Sequence, residues 1–200
     1  MLLKTRERRT THLSIKPFPT IKDVDFIFEN SPVKIVVNRN CPEIELTGLK
    51  IGPFEEGREY QVRYWIAHEL ERAGIARLRE EEILDIRKLD KIRWKESVQQ
   101  ARQVSPLEGD FYPRLRRYLA SLKRGAINNP ERMEEYQKAV RLSYDVVNCR
   151  LRKIVSLAAA PAQTNQTLKN LAAEEDILYE RLYSMVNEWK NKILRVSDET

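Results

Sequence analysis

At 200 residues, 42% hydrophobic and 33% charged, the sequence reads as one globular domain or two small ones, and disorder is not expected. The net charge of +6 is the balance of 36 basic and 30 acidic residues, which permits contact with nucleic acid or an acidic protein but requires neither. Apolar runs fall far short of the roughly 20 residues a membrane span needs, and Met1-Leu2-Leu3 gives way at once to Lys4, Arg6, Arg8 and Arg9, so neither a signal peptide nor membrane contact is expected. Cys41 and Cys149 stand far apart without a CxxC or CxxH neighbour; two ordinary thiols in a reducing compartment are expected, not a zinc site or a disulfide framework.

Residues 1–22 are basic, contain Thr and Pro and lack a sustained period, which predicts a flexible arm. From Phe26 to Val62 strand signals gather: Phe26-Ile27-Phe28, Val33 to Val37, Ile44-Glu45-Leu46, Leu49-Lys50-Ile51 and Tyr60-Gln61-Val62, separated by Asn, Pro and Gly. Gly48, Gly52 and Gly57 can supply the positive φ of tight turns, and Pro53 suits a turn's first central position. At Tyr64 the period changes. Ile66, Leu70 and Ala73 fall at helical spacing, with His68, Glu69, Glu71 and Arg72 between them, and Gly74 offers a C-cap. These signals define a small β-rich domain over 23–78, closed by a helix.

After Gly74 the strand signals stop, and 79–200 reads as a helical assembly domain. The fold class is therefore α+β, a small N-terminal β-rich domain followed by a mainly α-helical bundle with long helices. A helix is predicted over Glu80 to Gln103, with Glu80-Glu81-Glu82 at its start favouring the helix dipole. Another covers about Leu107 to Leu122, where Pro113 must lie in the first turn or mark a later start, and Gly125 to Pro130 reads as a loop. The clearest period then joins Tyr136, Val140, Tyr144, Val147, Leu151, Ile154 and Ala158, and Pro161 brackets its end. A last helix from about Gln166 to Val196 carries Leu168, Leu171, Leu178, Leu182, Met185, Trp189, Ile193 and Val196. Helices of this length extend on the order of 40 Å, more than a small core needs. An intramolecular helical bundle is the favoured reading of most of these apolar residues, but seams this long also suit another chain, and Val140, Tyr144, Val147, Leu151, Leu178, Leu182, Met185 and Trp189 are the candidate partner interface.

Catalytic constellations fare poorly. His68-Glu69 resembles the start of an HExxH zinc helix, but position 72 is Arg, and the other histidine, His12, lies in the arm. The glycines of Gly52 to Gly57 have phosphate-loop spacing, yet Arg58 and Glu59 stand where Lys and Ser/Thr belong, and Glu55 and Glu56 would repel phosphate. No Rossmann fingerprint occurs. Consecutive side chains of Glu80 to Glu82 point about 100 degrees apart on a helix and do not converge on a metal. No cofactor, metal site or catalytic residue is expected. Arg114, Arg116, Arg117, Lys123 and Arg124, with Tyr112 and Tyr118 among them, are the candidate nucleic-acid contact; Arg stems covering apolar surface are the favoured reading of the same residues.

The order of elements is similar to that of GINS subunits. The resemblance rests on Leu46-Thr-Gly-Leu-Lys-Ile-Gly-Pro-Phe-Glu-Glu-Gly57, on Trp65-Ile-Ala-His-Glu-Leu70 directly after it, and on Asn170 to Tyr179 leading to Glu188-Trp189. It covers roughly Phe26 to Val196 and points to the class with the small β-domain before the helical domain, as in the archaeal type. The resemblance implies a noncatalytic scaffold of the replication fork. In it, two such chains pair with two of the opposite domain order in a 2:2 heterotetramer that supports and activates the MCM helicase and meets a RecJ-like partner. The implied location is cytoplasmic and chromosome-associated, or nuclear in a eukaryote. A helical nucleic-acid-binding protein using the arm and the Arg-rich helix is the alternative, and an enzyme comes third.

Overall fold

A computed structural model describes residues 19–46, 48–98, 103–127, 129–160 and 165–194. Most of the basic arm assigned to 1–22 lies outside the described residues, but its last two residues already belong to a helix. Helix α1 (Ile21–Glu29) starts on a capping box: the Thr20 hydroxyl accepts from the Asp23 amide, and the Asp23 carboxylate accepts from the Thr20 amide at 2.7 Å. Phe26-Ile27-Phe28 is therefore helical and not a strand. Val24 and Phe28, one helical turn apart, are buried while Phe26 and Ile27 face outward.

The β-rich part is built on β1 (Pro32–Val37), the central strand of an antiparallel sheet ordered β4-β1-β5, with β4 at Glu59–Arg63 and β5 at Ala76–Leu78. Val33, Ile35 and Val37 alternate onto one face. There they meet Ile66, Ala67 and Leu70 of α2 (Tyr64–Arg72), with Phe54 and Ile51 closing the core. β2 (Ile44–Leu46) and β3 (Leu49–Ile51) form a separate two-stranded ribbon, with Ile44 opposite Ile51. Gly74, at φ +68°, ends α2 as expected, and the Ile75 amide returns to the Leu70 carbonyl at 2.9 Å. Strand signals do not stop there, however. β5 follows immediately and pairs Val37 with Ala76 and Ile35 with Leu78.

Among the described residues every later element is helical. Glu80–Glu82 is a single 3-10 turn ended by extended backbone at Ile83, so it does not start the next helix. Helix α3 (Ile86–Val98) is opened instead by Asp85, whose side chain accepts from the Lys88 amide at 2.8 Å. Helix α4 (Phe111–Ala126) takes Pro113 into its first turn and extends through Gly125 and Ala126, which the sequence assigns to a loop. Helix α5 (Pro130–Ala159) is capped by Asn129 with Pro130 behind it, and its 30 residues span about 45 Å. The expected final helix is two: α6 (Asn165–Leu168) and α7 (Ala173–Leu194). The break at 169–172 has a polar cause. The Asn170 carbonyl accepts from Arg150 at 3.1 Å, its side-chain amide donates to the Val104 carbonyl at 3.0 Å, and the Glu175 carboxylate caps the Ala172 amide at 3.0 Å.

Helix α5 packs against α3, α4 and α7 and organises two apolar clusters. One joins Leu84, Leu89, Phe111, Leu115, Ala139 and Val146; the other joins Val104, Ile154, Leu157, Leu171 and Tyr179. Between them in the α5 sequence lie Arg150 and Lys153, both buried. Among the described residues no helix is long and apolar enough to cross a membrane.

Candidate subunit interface

The buried residues of α5 include Ala139, Leu142, Ser143, Val146, Arg150, Lys153, Ile154 and Leu157, recurring every three or four residues. At roughly 100° per residue they form one face. Val140, Tyr144, Val147, Leu151 and Val155 form another, roughly 120° around the helix. The seam expected from the sequence is therefore split. Ile154 and Ala158 turn inward, whereas Tyr144 is 65% exposed and Val147, Leu151 and Val155 are exposed beside it. Val140 is half-buried. Counting apolar positions picks out the exposed face before the buried one, because the buried one includes a serine, an arginine and a lysine.

Helix α7 presents a second stripe. Leu178 and Leu182 are half-buried against the Ile154–Tyr179 cluster of their own chain. The same helical face continues through Met185, Trp189 and Ile193, which are 66%, 62% and 63% exposed. Near the start of α7 Arg150 grips Glu175, and near its end Lys190 Nζ donates to the Ala159 carbonyl at 2.8 Å, where α5 stops. The exposed part of the stripe thus belongs to the half of α7 that runs to and past the end of α5.

The buried polar layer behind these stripes includes four charged residues. Arg150, fully buried, makes a bidentate pair with Glu175 (2.5 and 2.6 Å) and a further ion pair with Glu96, while Lys153 Nζ lies 2.6 Å from the other Glu96 oxygen. Two cations meet two carboxylates, so the layer is neutral. Ser105 donates to Glu96, and Tyr112 donates to Glu175 at 2.6 Å. Burial alone would raise the Glu96 carboxyl; hydrogen bonds from Lys153 and Ser105 and the charges of Arg150 and Lys153 outweigh it and hold the group below its ordinary range. Burial, with the adjacent Glu175 charge, pushes the Tyr112 phenol far up.

The Arg-rich segment of α4 is largely occupied within the chain. Arg114 pairs with Asp110 at 2.7 Å; Arg116 bridges Asp25 of α1 and Glu174 of α7 at 2.8 and 2.9 Å. Arg117 pairs with Asp25 and Glu29 and lies over the Phe28 and Tyr64 rings, 4.5 and 5.1 Å from their centroids. These contacts tie α1 to α4 and α7. Lys123 and Arg124 are exposed on the last turn of α4 and do not share that cluster. The remaining motifs also have structural places. His68 stacks on Tyr64 (6.4 Å) beside Glu69, Phe54 of the glycine-spaced loop is a core residue bridged to Cys41, and Arg79 pairs with Glu81. No group of metal-ligating side chains occurs among the described residues.

Residues 83–194 match the family model described as the GINS complex protein helical bundle domain. The chain belongs to the GINS family. Residues 20–79 match the model described as the PSF2 N-terminal domain, so this GINS chain carries its strand-containing domain before its helical one. Among curated proteins it is similar to the human DNA replication complex GINS protein PSF2, at 27% identity over 76% of this chain and 80% of that protein. The Xenopus laevis protein of the same name is 26% identical over the same shares. Both family models meet near the 3-10 turn at Glu80–Glu82, where the last strand gives way to helices.

Proposed function

We propose that this GINS chain is a noncatalytic structural subunit of a DNA replication complex, joined to other GINS subunits through the outward stripe of α5 and the distal half of α7. The observation that supports it most is Tyr144 with Val147, Leu151 and Val155 on one rigid helix, exposed and apolar, beside a face already filled by its own chain. Full burial of a side chain of this size yields about 1.5–3 kcal/mol, and these four, at 37–65% exposure, retain part of that gain for a partner to supply. Val140 at the edge of the α5 stripe, and Met185 and Trp189 on α7, extend the contact; Leu178 and Leu182 support it from within.

In this reading the partner has the opposite domain order, the assembly is a 2:2 heterotetramer, and it is chromosome-associated. It acts by binding, as a scaffold that supports and activates the MCM helicase and meets a RecJ-like protein. The chain divides near residue 78 into a small β-rich domain and an assembly domain. Similarity to the PSF2 proteins of human and frog supports the replication assignment.

The test is co-expression with a GINS chain of the opposite domain order from the same source, read by native mass. The unaltered chain is expected to give an equimolar complex, and Tyr144→Asp with Leu151→Asp to leave both chains folded and apart. An unaltered chain that stays alone, or a doubly substituted chain that assembles equally well, overturns the proposal.

A further inference from the structure

A cavity of about 260 Å³ opens between the 3-10 turn, α3, the segment 106–108 and the start of α4. Its deep wall is apolar, formed by buried Leu84 and Phe111 with half-buried Ile92 and Leu107, while Ile83 stands exposed at its edge. One side of its mouth is a row of cations. Lys88, Lys91 and Lys95 follow one another at helical spacing on α3, and the same face carries Ile92 into the cavity.

The three lysines differ in what they do. Lys88 is used by the fold, its Nζ donating to the carbonyls of Glu80 and Ile83 at 2.6 Å each. Lys91 and Lys95 are exposed and make no ion pair among the described residues. Like charges one helical turn apart destabilise a helix by a few tenths of a kcal/mol. Glu81 and Glu108 also line the cavity, and Arg114 completes the rim with its charge already met by Asp110 at 2.7 Å and Glu108 at 3.6 Å, so the surplus positive charge sits on the lysine row. The result is an apolar recess, large enough for one or two side chains, under a rim of net positive charge. None of these residues belongs to the α5 or α7 stripes.

We propose that this recess docks a short acidic peptide segment of a partner protein, seating a Leu or Phe anchor against Phe111, Leu84 and Leu107 and setting carboxylates on Lys91 and Lys95. An anchor in a desolvated pocket with complementary charge around it is the usual economy of a small peptide site. Nucleic acid fits the observations less well. The cations would meet phosphates, but the floor is closed side chain with Phe111 buried, and no aromatic face is open in the recess for a base to stack on.

The test selects short random peptides displayed on phage against the folded full-length chain, with counter-selection on the Lys91→Glu, Lys95→Glu variant. Selected peptides are expected to carry Asp or Glu around one Leu, Phe or Ile. Replacing that anchor by Ser is expected to weaken binding about tenfold or more, as is transfer to the charge-reversed chain or to Ile83→Ser, an exposed substitution that spares the core. Tenfold corresponds to about 1.4 kcal/mol. Four results each overturn the proposal: no peptide enriched, an enriched set without acidic residues, equal binding to the folded charge-reversed chain, or equal displacement by single-stranded oligodeoxynucleotide and by polyglutamate lacking an anchor.

Discussion

Replacing Arg150 by Met tests the polar layer most directly, because the substitution keeps a long apolar stem and removes only the charge and its hydrogen bonds. Arg150 is fully buried and holds both Glu96 and Glu175, with further bonds to the carbonyls of Ser105 (3.0 Å) and Asn170 (3.1 Å). Its loss is uneven. Glu96 retains Lys153 and Ser105, but among the described residues Glu175 keeps only the Tyr112 hydroxyl and the Ala172 amide, so a layer that was neutral carries one uncompensated negative charge. Removing one partner of a buried pair costs about 3–5 kcal/mol. Against a whole-domain stability of about 5–15 kcal/mol, this moves the urea midpoint far down or leaves the chain partly unfolded. The second arm is Arg150→Met with Glu175→Gln, which restores charge balance around the remaining Glu96–Lys153 pair. The expected result is that the double variant is more stable than Arg150→Met by about 1–3 kcal/mol, the cost of leaving a buried acceptor unmatched. Urea titrations followed by far-ultraviolet circular dichroism, with slopes compared to verify two-state unfolding, measure both. A cost below about 1 kcal/mol for Arg150→Met, or a double variant no more stable than the single, would refute the account of a charge-balanced layer.

Three further outcomes follow from the same contacts. The Glu96 carboxyl is held below its ordinary value near 4.5, so its contribution is complete above that range and is lost as pH falls below it; Glu96→Gln is expected to flatten the acid limb of a stability–pH curve, and an unchanged limb contradicts this. Arg117→Ala removes the ion pairs to Asp25 and Glu29 and the cation over Phe28 and Tyr64, at a cost of about 1–2 kcal/mol at this half-buried site, and amide exchange in α1 should quicken more than in α5. Gly74→Ala meets no steric obstacle but forces an alanine to φ +68°, which lowers the stability of the full chain by about 1–2 kcal/mol in a urea titration.

Much of the fold follows from periodicity visible in the chain. Val33, Ile35 and Val37 alternate because one sheet face is covered, Ile44 to Ile51 turns at Gly48, and the helix closing the β-rich part ends at Gly74. What local pattern misses is decided by distant partners. β5 has three residues, and pairing with β1, about forty positions earlier, makes it a strand. Phe26-Ile27-Phe28 has strand-like composition, yet the Thr20–Asp23 capping box and the packing of Val24 and Phe28 make it a helix. The exposed residues of the α5 stripe were legible as a periodic apolar row, while their direction was not, since Arg150 and Lys153 look like surface residues to any count of apolar positions. Their spacing from Val146 and Leu157 was the available signal: both fall on the inner face once Ala139, Leu142 and Val146 are placed there.

Helix α5 therefore inverts part of the usual arrangement, with charge inside and an apolar stripe outside, and the two departures have complementary physical effects. An all-apolar interior would hold α3, α5 and α7 together but would tolerate sliding by a turn, because one aliphatic contact resembles the next. A bidentate Arg150–Glu175 pair with Glu96 and Lys153 beside it does not tolerate sliding, since a displaced charge is buried without its partner. The layer thus fixes the axial position of α7 against α5, and with it the relation between the exposed rows at Tyr144–Val155 and Met185–Ile193. A docking surface shared by two helices is only as precise as the register between them, so weakening the layer should impair assembly before it unfolds the chain. Glu96→Gln perturbs the layer without changing its shape: a neutral amide leaves Arg150 and Lys153 with Glu175 as the one remaining carboxylate, and so one uncompensated positive charge. The expected result is a chain still folded at neutral pH whose partner complex dissociates faster than the unaltered one, measured by surface plasmon resonance on the co-purified assembly. Unchanged dissociation with a measurable loss of stability would show that the layer sets fold stability alone and that the two stripes bind independently of its register.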